Sequence, residues 1–445
     1  VGVDFNAEAA SDLGTLTRIT DDTSIQWAPA IHGNRIVYED GRNANYDIYM
    51  YDLRTGTETR LTTDTSHQHD PDIWGDVVVW EDWRTTPSSI YSIDLKTMTE
   101  TQLASHATEN LLDPSIWDDR VAYEQDGALP AGASIVVYDM STSSSTSFVT
   151  GSSFAVYPDL HEDMIVYQTD RHGDMEIYSY DISTSTISRL TNNAFDQYSP
   201  RLYGEILVYE DLRHGNREIY YMDLNLATEV RVTSTTVIEI NPDIYKGKIV
   251  FERWASSGDQ IVIFDIITGS EETLSTSIYD SRDAHIDGDR IIFTDNRESN
   301  WNVYMFLLDM DNDGVGDSVD AFPRNPGEYR DTDGDGIGDN ADGDANGNGV
   351  PDEDDPIGRK TEIPSSGALY PAIHEDRLVF HKYVGGSNYY DVFMYDLRME
   401  REITIASGVG YQYYPDIHGD IIVWKDSRNT VGLTVYDVYY KSLGN

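Results

Sequence analysis

Apolar and polar residues alternate in short runs along most of the chain, as in RIVYED (35–40) and DIYMYDL (47–53), and Gly, Asn and Asp fill the gaps between runs. A period of two bounded by turn residues predicts β-strands, and no helical period competes with it. The runs recur as a unit. APAIHGNRIVYEDGRNANYDIYMYDLRTGTETRLT (28–62) returns as DPDIWGDVVVWEDWR with SIYSIDLKTMTETQL (70–103), then as YPDLHEDMIVYQTDRHGDMEIYSYDISTSTISRLT (157–191). Further copies begin near Asp113, Ser199, Asn241, Asp283, Tyr370 and Tyr414.

Eight copies carry an anchoring proline, at Pro29, Pro71, Pro114, Pro158, Pro200, Pro242, Pro371 and Pro415, and Ala284 stands in its place in the seventh. Four short antiparallel strands in about 42 residues suit one blade of a β-propeller. The expected fold is therefore all-β: a single β-propeller of nine four-stranded blades. GTLTRIT (14–20) matches the fourth-strand segment GTETRLT (56–62) but precedes the first copy, and the ninth copy ends at DVYYKSLGN without a fourth strand. The N-terminal strand is expected to complete the ninth blade and so close the ring. DIYMYDLRTGTETRLT and RIVYEDGR resemble TolB-like propeller repeats, although HGN, WGD, HED and YKG stand where that family usually has SPDG. The resemblance implies the architecture and carries no activity with it.

One stretch breaks the pattern. After NVYMFLL (302–308) an insertion runs to 358, before RKTEI (359–363), which reads as the fourth strand of blade seven. The expected organisation is 1–308 as propeller, 309–358 as a calcium-binding insertion and 359–445 as the remaining propeller. Within the insertion Asp309, Asp311, Asp313, Asp317 and Asp320 are matched at the same offsets by Asp331, Asp333, Asp335, Asp339 and Asp342, then by Asp344, Asn346, Asn348, Asp352 and Asp355. Gly314, Gly336 and Gly349 fall at the sixth place of each loop. Oxygen donors at positions 1, 3, 5, 9 and 12 around that glycine form the layout of an EF-hand-like calcium loop. Hard oxygen donors without Cys or His predict Ca²⁺, about three ions or more. DAFPRNP between the first two loops makes the segment similar to thrombospondin type 3 repeats of cell-surface proteins, which implies at least one ion per loop.

Composition narrows the partners. Formal charge is −48, with 79 acids against 31 basic residues, which repels nucleic acid and anionic membranes. No apolar run approaches the roughly 18 residues of a membrane span. Cysteine is absent, so stability must come from packing, closure or metal. Calcium loops of modest affinity suit an extracellular or cell-surface location.

Innermost strands line a propeller's channel, so the residue after each anchor is a candidate lining position: Ala30, Asp72, Ser115, Asp159, Arg201, Asp243, His285, Ala372 and Asp416. Two residues further stand His32, Trp74, Trp117, His161, Tyr203, Tyr245, Asp287, His374 and His418, and the four histidines could converge on a metal. The plainer reading is a repeat position that accepts a flat polar ring. Asp40 with Arg42, Asp82 with Arg84, Asp211 with Arg213, Asp295 with Arg297 and Asp426 with Arg428 read as structural ion pairs, since a function repeated on five blades is improbable. No nucleophile elbow, phosphate loop or zincin motif is present. The expectation is a non-enzymatic calcium-binding propeller, acting in adhesion or surface assembly and binding glycans, other surface proteins or itself. The alternative is a metal-assisted polysaccharide lyase or other carbohydrate-active propeller enzyme, marked by convergence of Arg201, His285 and the channel acids.

Overall fold

The computed structural model describes all residues except 1–7, 12–13, 128–131, 150–153, 276–278, 310–315, 318–319, 324, 326, 333–336, 342–367, 375–376, 385–388, 397–400, 407–411, 419–420, 427–436 and 443–445. The described residues form strands and no helix, in two compact units, Val1–Gly349 and Val350–Asn445.

In the first unit each copy of the repeat forms one antiparallel sheet whose strands follow chain order: 26–60, 68–104, 111–149, 155–189, 197–231 and 238–273 give blades one to six. The turn between the first two strands of each blade needs a left-handed residue. Gly33, Gly75, Asp118, Glu162, Gly204, Gly247 and Gly288 supply it, all at positive φ. The second strand is the most buried, with Tyr38, Trp80, Tyr167, Tyr209, Phe251 and Phe293 at 0% exposure.

The expectation that the N-terminal strand completes the ninth blade is overturned at blade seven. Gly14–Arg18 pairs with Asn302–Leu308, the third strand of the seventh copy, in register Gly14 to Leu308 and Arg18 to Tyr304. The N-terminal segment is a fourth strand, as its sequence predicts, but it serves the seventh blade. The insertion after Leu308 had left that blade's edge open, and an open edge is the natural acceptor for a free strand. The contacts confirm the role. Arg18 Nε donates to Thr20 O (2.6 Å) and Thr20 Oγ1 accepts from Val303 N (2.8 Å), as Arg60 does to Thr62 O and Thr62 does from Ile48 N in blade one. Glu8–Ser11 adds a further strand outside it. RKTEI, expected in this place, lies outside the described residues.

Seven hydrophobic clusters, one between each neighbouring pair of sheets, complete the circuit. The seventh joins Ile292 and Val303 of blade seven to Ile36, Tyr38 and Tyr49 of blade one. Asp287 Oδ2 accepts from Gly33 N (2.6 Å) and Arg290 donates to Gly33 O (3.2 Å) across the same junction. Residues 8–308 therefore form a seven-bladed propeller whose sheets return on themselves.

The eighth and ninth copies form the second unit. One sheet has four strands, Ala368–His374, Arg377–Val384, Tyr389–Asp396 and Arg401–Ala406, and the other has three, Gln412–His418, Ile421–Asp426 and Asp437–Ser442. Val379, Val392, Met394, Ile405, Ile417, Ile422 and Trp424 pack between them.

Closure sets one clear expectation. A Cβ at Gly14 would collide with the carbonyl oxygen of Leu307. Gly14→Ala should cost about 2–4 kcal/mol, of the order of other steric insertions into packed structure. Thermal unfolding, with amide exchange over Gly14–Arg18, measures it; unchanged protection would show that this strand does not carry the closure.

Candidate functional site

The seven inner strands enclose a channel-like cavity of about 800 Å³. Its wall has three tiers, because each inner strand contributes three residues in the same order.

The first tier is the residue before each anchor: Ala28, Asp70, Asp113, Tyr157, Ser199, Asn241 and Asp283. All seven are left-handed, with φ between 43° and 54°, and each sits at a bulge where strand pairing shifts register. Such a conformation costs a non-glycine residue about 1–2 kcal/mol. The bulge turns the backbone N–H toward the preceding blade, and there a side chain of that blade's second strand accepts it. Glu39 accepts from Asp70 (2.9 Å), Glu81 from Asp113 (2.8 Å), Gln168 from Ser199 (2.7 Å), Glu210 from Asn241 (2.9 Å) and Glu252 from Asp283 (2.9 Å). The second unit repeats the device, with His381 Nδ1 accepting from Tyr414 N (3.2 Å).

The second tier holds the predicted lining positions. Asp72, Asp159 and Asp243 face the cavity and also accept the backbone N–H of Ile116, Leu202 and Ile286 on the next blade, at 2.7–2.9 Å. His285 Nδ1 stands 3.5 Å from Asp243. Burial would raise Asp243, but the hydrogen bond and charge of His285, with Arg201 beyond, hold it below the usual carboxylate range. Burial pushes Asp159 up to about 6 against the pull of Arg201. Arg201, His285 and the channel acids thus converge. Ala372 and Asp416 belong to the second unit.

The third tier is an aromatic belt. His32, Trp74, Trp117, His161, Tyr203 and Tyr245 stack in succession with ring centroids 3.7–4.8 Å apart, and Asp287 ends the series. Within the first unit His32 and His161 do not gather, since two tryptophans separate them; His374 and His418 end strands of the second unit. The position is one for flat rings.

Asp40–Arg42, Asp82–Arg84, Asp211–Arg213 and Asp295–Arg297 pair within their own blades at 2.6–2.9 Å, and each guanidinium covers a tyrosine at 4.1–4.6 Å. These are structural, as expected. Arg428 lies outside the described residues.

What the sequence reading missed is the first tier and the glutamates behind it. Oxygens of Asp70, Glu81 and Asp113 all lie within 4.8 Å of one another. Burial first, then mutual repulsion, raises Asp70 to about 8, while burial raises Glu81 to about 7. Glu124 is hydrogen-bonded to the Asp113 carboxyl, and burial with that neighbour pushes it to about 9. Three clustered oxygen donors without nitrogen or sulfur suit a hard divalent cation. The signal was present in the sequence. The residue before the anchor varies among Ala, Asp, Tyr, Ser and Asn, while the anchor is proline in six of the seven copies and Ile or Leu stands two places after it in all seven.

Beside this end of the channel the aromatic residues are open. Tyr157 is 48% and Trp254 42% exposed. Arg282 lies 5.8 Å from Trp254 and 5.4 Å from Trp301, which packs on Trp27 at 4.4 Å. His69 bonds Glu39 (2.9 Å), and Arg217 bonds Glu210 (2.8 Å) over the ring of Tyr198.

Of the acidic loops, Asp309, Asp317, Asp320, Asp331 and Asp339 are described. Asp320 accepts from Phe322 N (2.7 Å), and Asp339 accepts from the backbone and hydroxyl of Thr332 (2.8 and 2.7 Å). Asp311, Asp313, Asp333, Asp335, Asp342, Asp344, Asn346, Asn348, Asp352 and Asp355 lie outside the described residues.

No family model and no curated protein matches the chain by sequence. Solved structures do match. An oligogalacturonate lyase in complex with manganese has 13% identity and a TM-score of 0.52 over 69% of this chain and 97% of its own. The oligogalacturonate lyase of Vibrio parahaemolyticus has 11% identity and a TM-score of 0.54 over the same shares. The β-propeller domain of the Trilobed protease from Pyrococcus furiosus has 12% identity and a TM-score of 0.52, covering 64% and 94%. The chain has a β-propeller fold. The matched propellers belong to enzymes, and that finding overturns the expectation of a non-enzymatic adhesion or assembly module.

The raised carboxyls fix a sign for pH. In the folded state they keep protons that an unfolded chain releases above about pH 4, so their stabilisation is full below that pH and is lost as pH rises through about 7 to 9. In chelator the melting temperature of the protein should fall from about pH 5 to about pH 9, and Glu124→Gln, which mimics the protonated form, should fall less. Parallel curves for the two proteins would show that the cluster is ionised throughout.

Proposed function

We propose that the seven-bladed ring is a carbohydrate-active enzyme, a metal-assisted polysaccharide lyase that takes uronate-containing chains at the Asp70 end of the channel. The observation that carries this reading is the meeting, in one cavity, of Arg201, the His285–Asp243 pair and the Asp70–Glu81–Asp113 cluster. The manganese complex of an oligogalacturonate lyase on the same fold supports it.

Elimination from a uronate removes the proton at C5, breaks the C4–O bond, forms the C4–C5 double bond and protonates the departing oxygen. The C5 proton is weakly acidic until the neighbouring carboxylate is neutralised. Arg201, the only arginine among the lining residues of the second tier, can pair with that carboxylate through its planar donor fork. His285 is the base: Asp243 at Nδ1 orients the ring and leaves Nε2 to accept the proton. Tyr157 lines the cavity and burial raises its hydroxyl, so it stays protonated and can donate to the departing oxygen. A divalent cation held by Asp70, Glu81 and Asp113 would draw further charge from the substrate carboxylate. The open faces of Tyr157 and Trp254 offer stacking surfaces for sugar rings.

The acidic insertion is read as calcium-binding, with its recurrent donor spacing as the support, and as similar to thrombospondin type 3 repeats. That reading places the protein where calcium is plentiful, outside the cell or at its surface.

The test is product formation by the full chain on polyuronides and on neutral glycans, with manganese or calcium supplied, followed through absorbance of the unsaturated sugar. Arg201→Ala should lower kcat/KM about 100-fold, corresponding to about 2.7 kcal/mol of lost charge pairing. Absence of unsaturated product from every uronide would end this reading.

A further inference from the structure

Inside the channel one guanidinium is available to an anion. Arg201 makes no ion pair among the described residues, and its Nη1 donates to Pro200 O (3.2 Å). Burial raises Asp72, Asp113 and Asp159, and the charge of Arg201 opposes that rise in all three, so the guanidinium stands among them.

At the Asp70 mouth the basic groups are already matched. Arg282, next in sequence to the first-tier residue Asp283, donates from Nε and Nη2 to Asp259 Oδ2 (3.0 and 2.8 Å), with Asp280 at 3.9 Å. Arg217 is held by Glu210 and His69 by Glu39. With Asp70, Glu81 and Asp113 added, this mouth carries more acid than base. A cation at that cluster and Arg201 can together neutralise one incoming carboxylate. Each further carboxylate meets like charge, which weighs against a partner ionised on every unit.

What the mouth offers beside Arg201 is flat and balanced in charge. Trp254 is 42% exposed, and its Nε1 donates to Glu252 Oε2 (3.3 Å), which fixes the indole. The Arg282 guanidinium lies 5.8 Å from that ring and 5.4 Å from Trp301, which packs on Trp27 at 4.4 Å. Blades six, seven and one thus share a platform of indole rings around a paired guanidinium. Such a surface suits the apolar C–H face of a pyranose ring, whose hydroxyls remain free to bond to acids at its edge. An ionised sugar there would have to draw Arg282 away from Asp259, which is 9% exposed and would be left buried without its partner.

We infer that the substrate is a mixed polysaccharide in which the reacting uronate is joined to a neutral sugar. The uronate pairs with Arg201, and the neutral ring stacks on the platform of Trp254, Arg282 and Trp301. The inference rests on the lyase reading and narrows it from uronate chains in general to chains charged on alternate units.

The test compares an alternating rhamnose and galacturonate polymer with polygalacturonate, using the full chain with manganese. Binding is read as retardation in gels that contain either polymer, and turnover as absorbance of the unsaturated product. The alternating polymer should retard the protein at a concentration about tenfold lower and should be the faster substrate. Trp254→Ala should weaken that retardation about tenfold and leave retardation by polygalacturonate unchanged. Asp259→Asn, which releases Arg282, should instead strengthen retardation by polygalacturonate. Product formed from polygalacturonate as fast as from the alternating polymer, or retardation by the alternating polymer that survives Trp254→Ala, would overturn the inference and leave the lyase reading standing. Product from neither polymer would end both.

Discussion

The hydrogen bond from a left-handed residue on one blade to a carboxylate on the blade before it organises the ring. It recurs at Asp70, Asp113, Asn241 and Asp283, with Glu39, Glu81, Glu210 and Glu252 as acceptors. The conformation costs about 1–2 kcal/mol and a hydrogen bond to a charged acceptor returns about 1.5–3 kcal/mol, so the two nearly offset. The net gain is geometric. Each bulge fixes where the next blade begins, and it points seven side chains at one mouth of the channel.

The same device makes the mouth chemically active. A carboxylate that must reach across a blade junction is buried, and burial favours its neutral form. Where the residue it serves is also an acid, as at Asp70 and Asp113, a second carboxyl is brought beside it, and burial raises Asp70 and Asp113. Where that residue is Ser199 or Asn241 the crowding is absent. The acid cluster therefore falls between blades two and three because of what precedes two prolines. Scaffold and candidate site are built from the same atoms, with the stitching glutamates invariant in role and the first-tier residues varied in kind.

Much of this was legible in the residues. The strand pattern, the anchors and the four strands per copy in blades one to six appear as expected, and GTLTRIT is a fourth strand whose Arg18 and Thr20 repeat the contacts of Arg60 and Thr62. Its partner was not legible. Strand sequence specifies register and edge but not which of two incomplete sheets is met, and the insertion hid that blade seven was incomplete. The flat-ring reading of the Trp74 position and the structural reading of Arg42 and its equivalents also hold. The first tier escaped because a left-handed residue before proline runs against the local preference of such residues for extended backbone. Only the acceptor on the neighbouring blade stabilises it.

Closure by a strand from far away in sequence creates a specific weakness. The outer edge of blade seven is held by five residues of the N-terminal segment rather than by a hairpin, so its pairing carries the entropy cost of joining ends nearly three hundred residues apart. One feature at that edge offsets the cost. The cluster of Ile36, Tyr38, Tyr49, Ile292 and Val303 buries apolar surface beneath it. Beyond Leu308 the chain enters an acidic segment with 16 acids and two arginines between 309 and 355, a charge that favours cations over anions as partners.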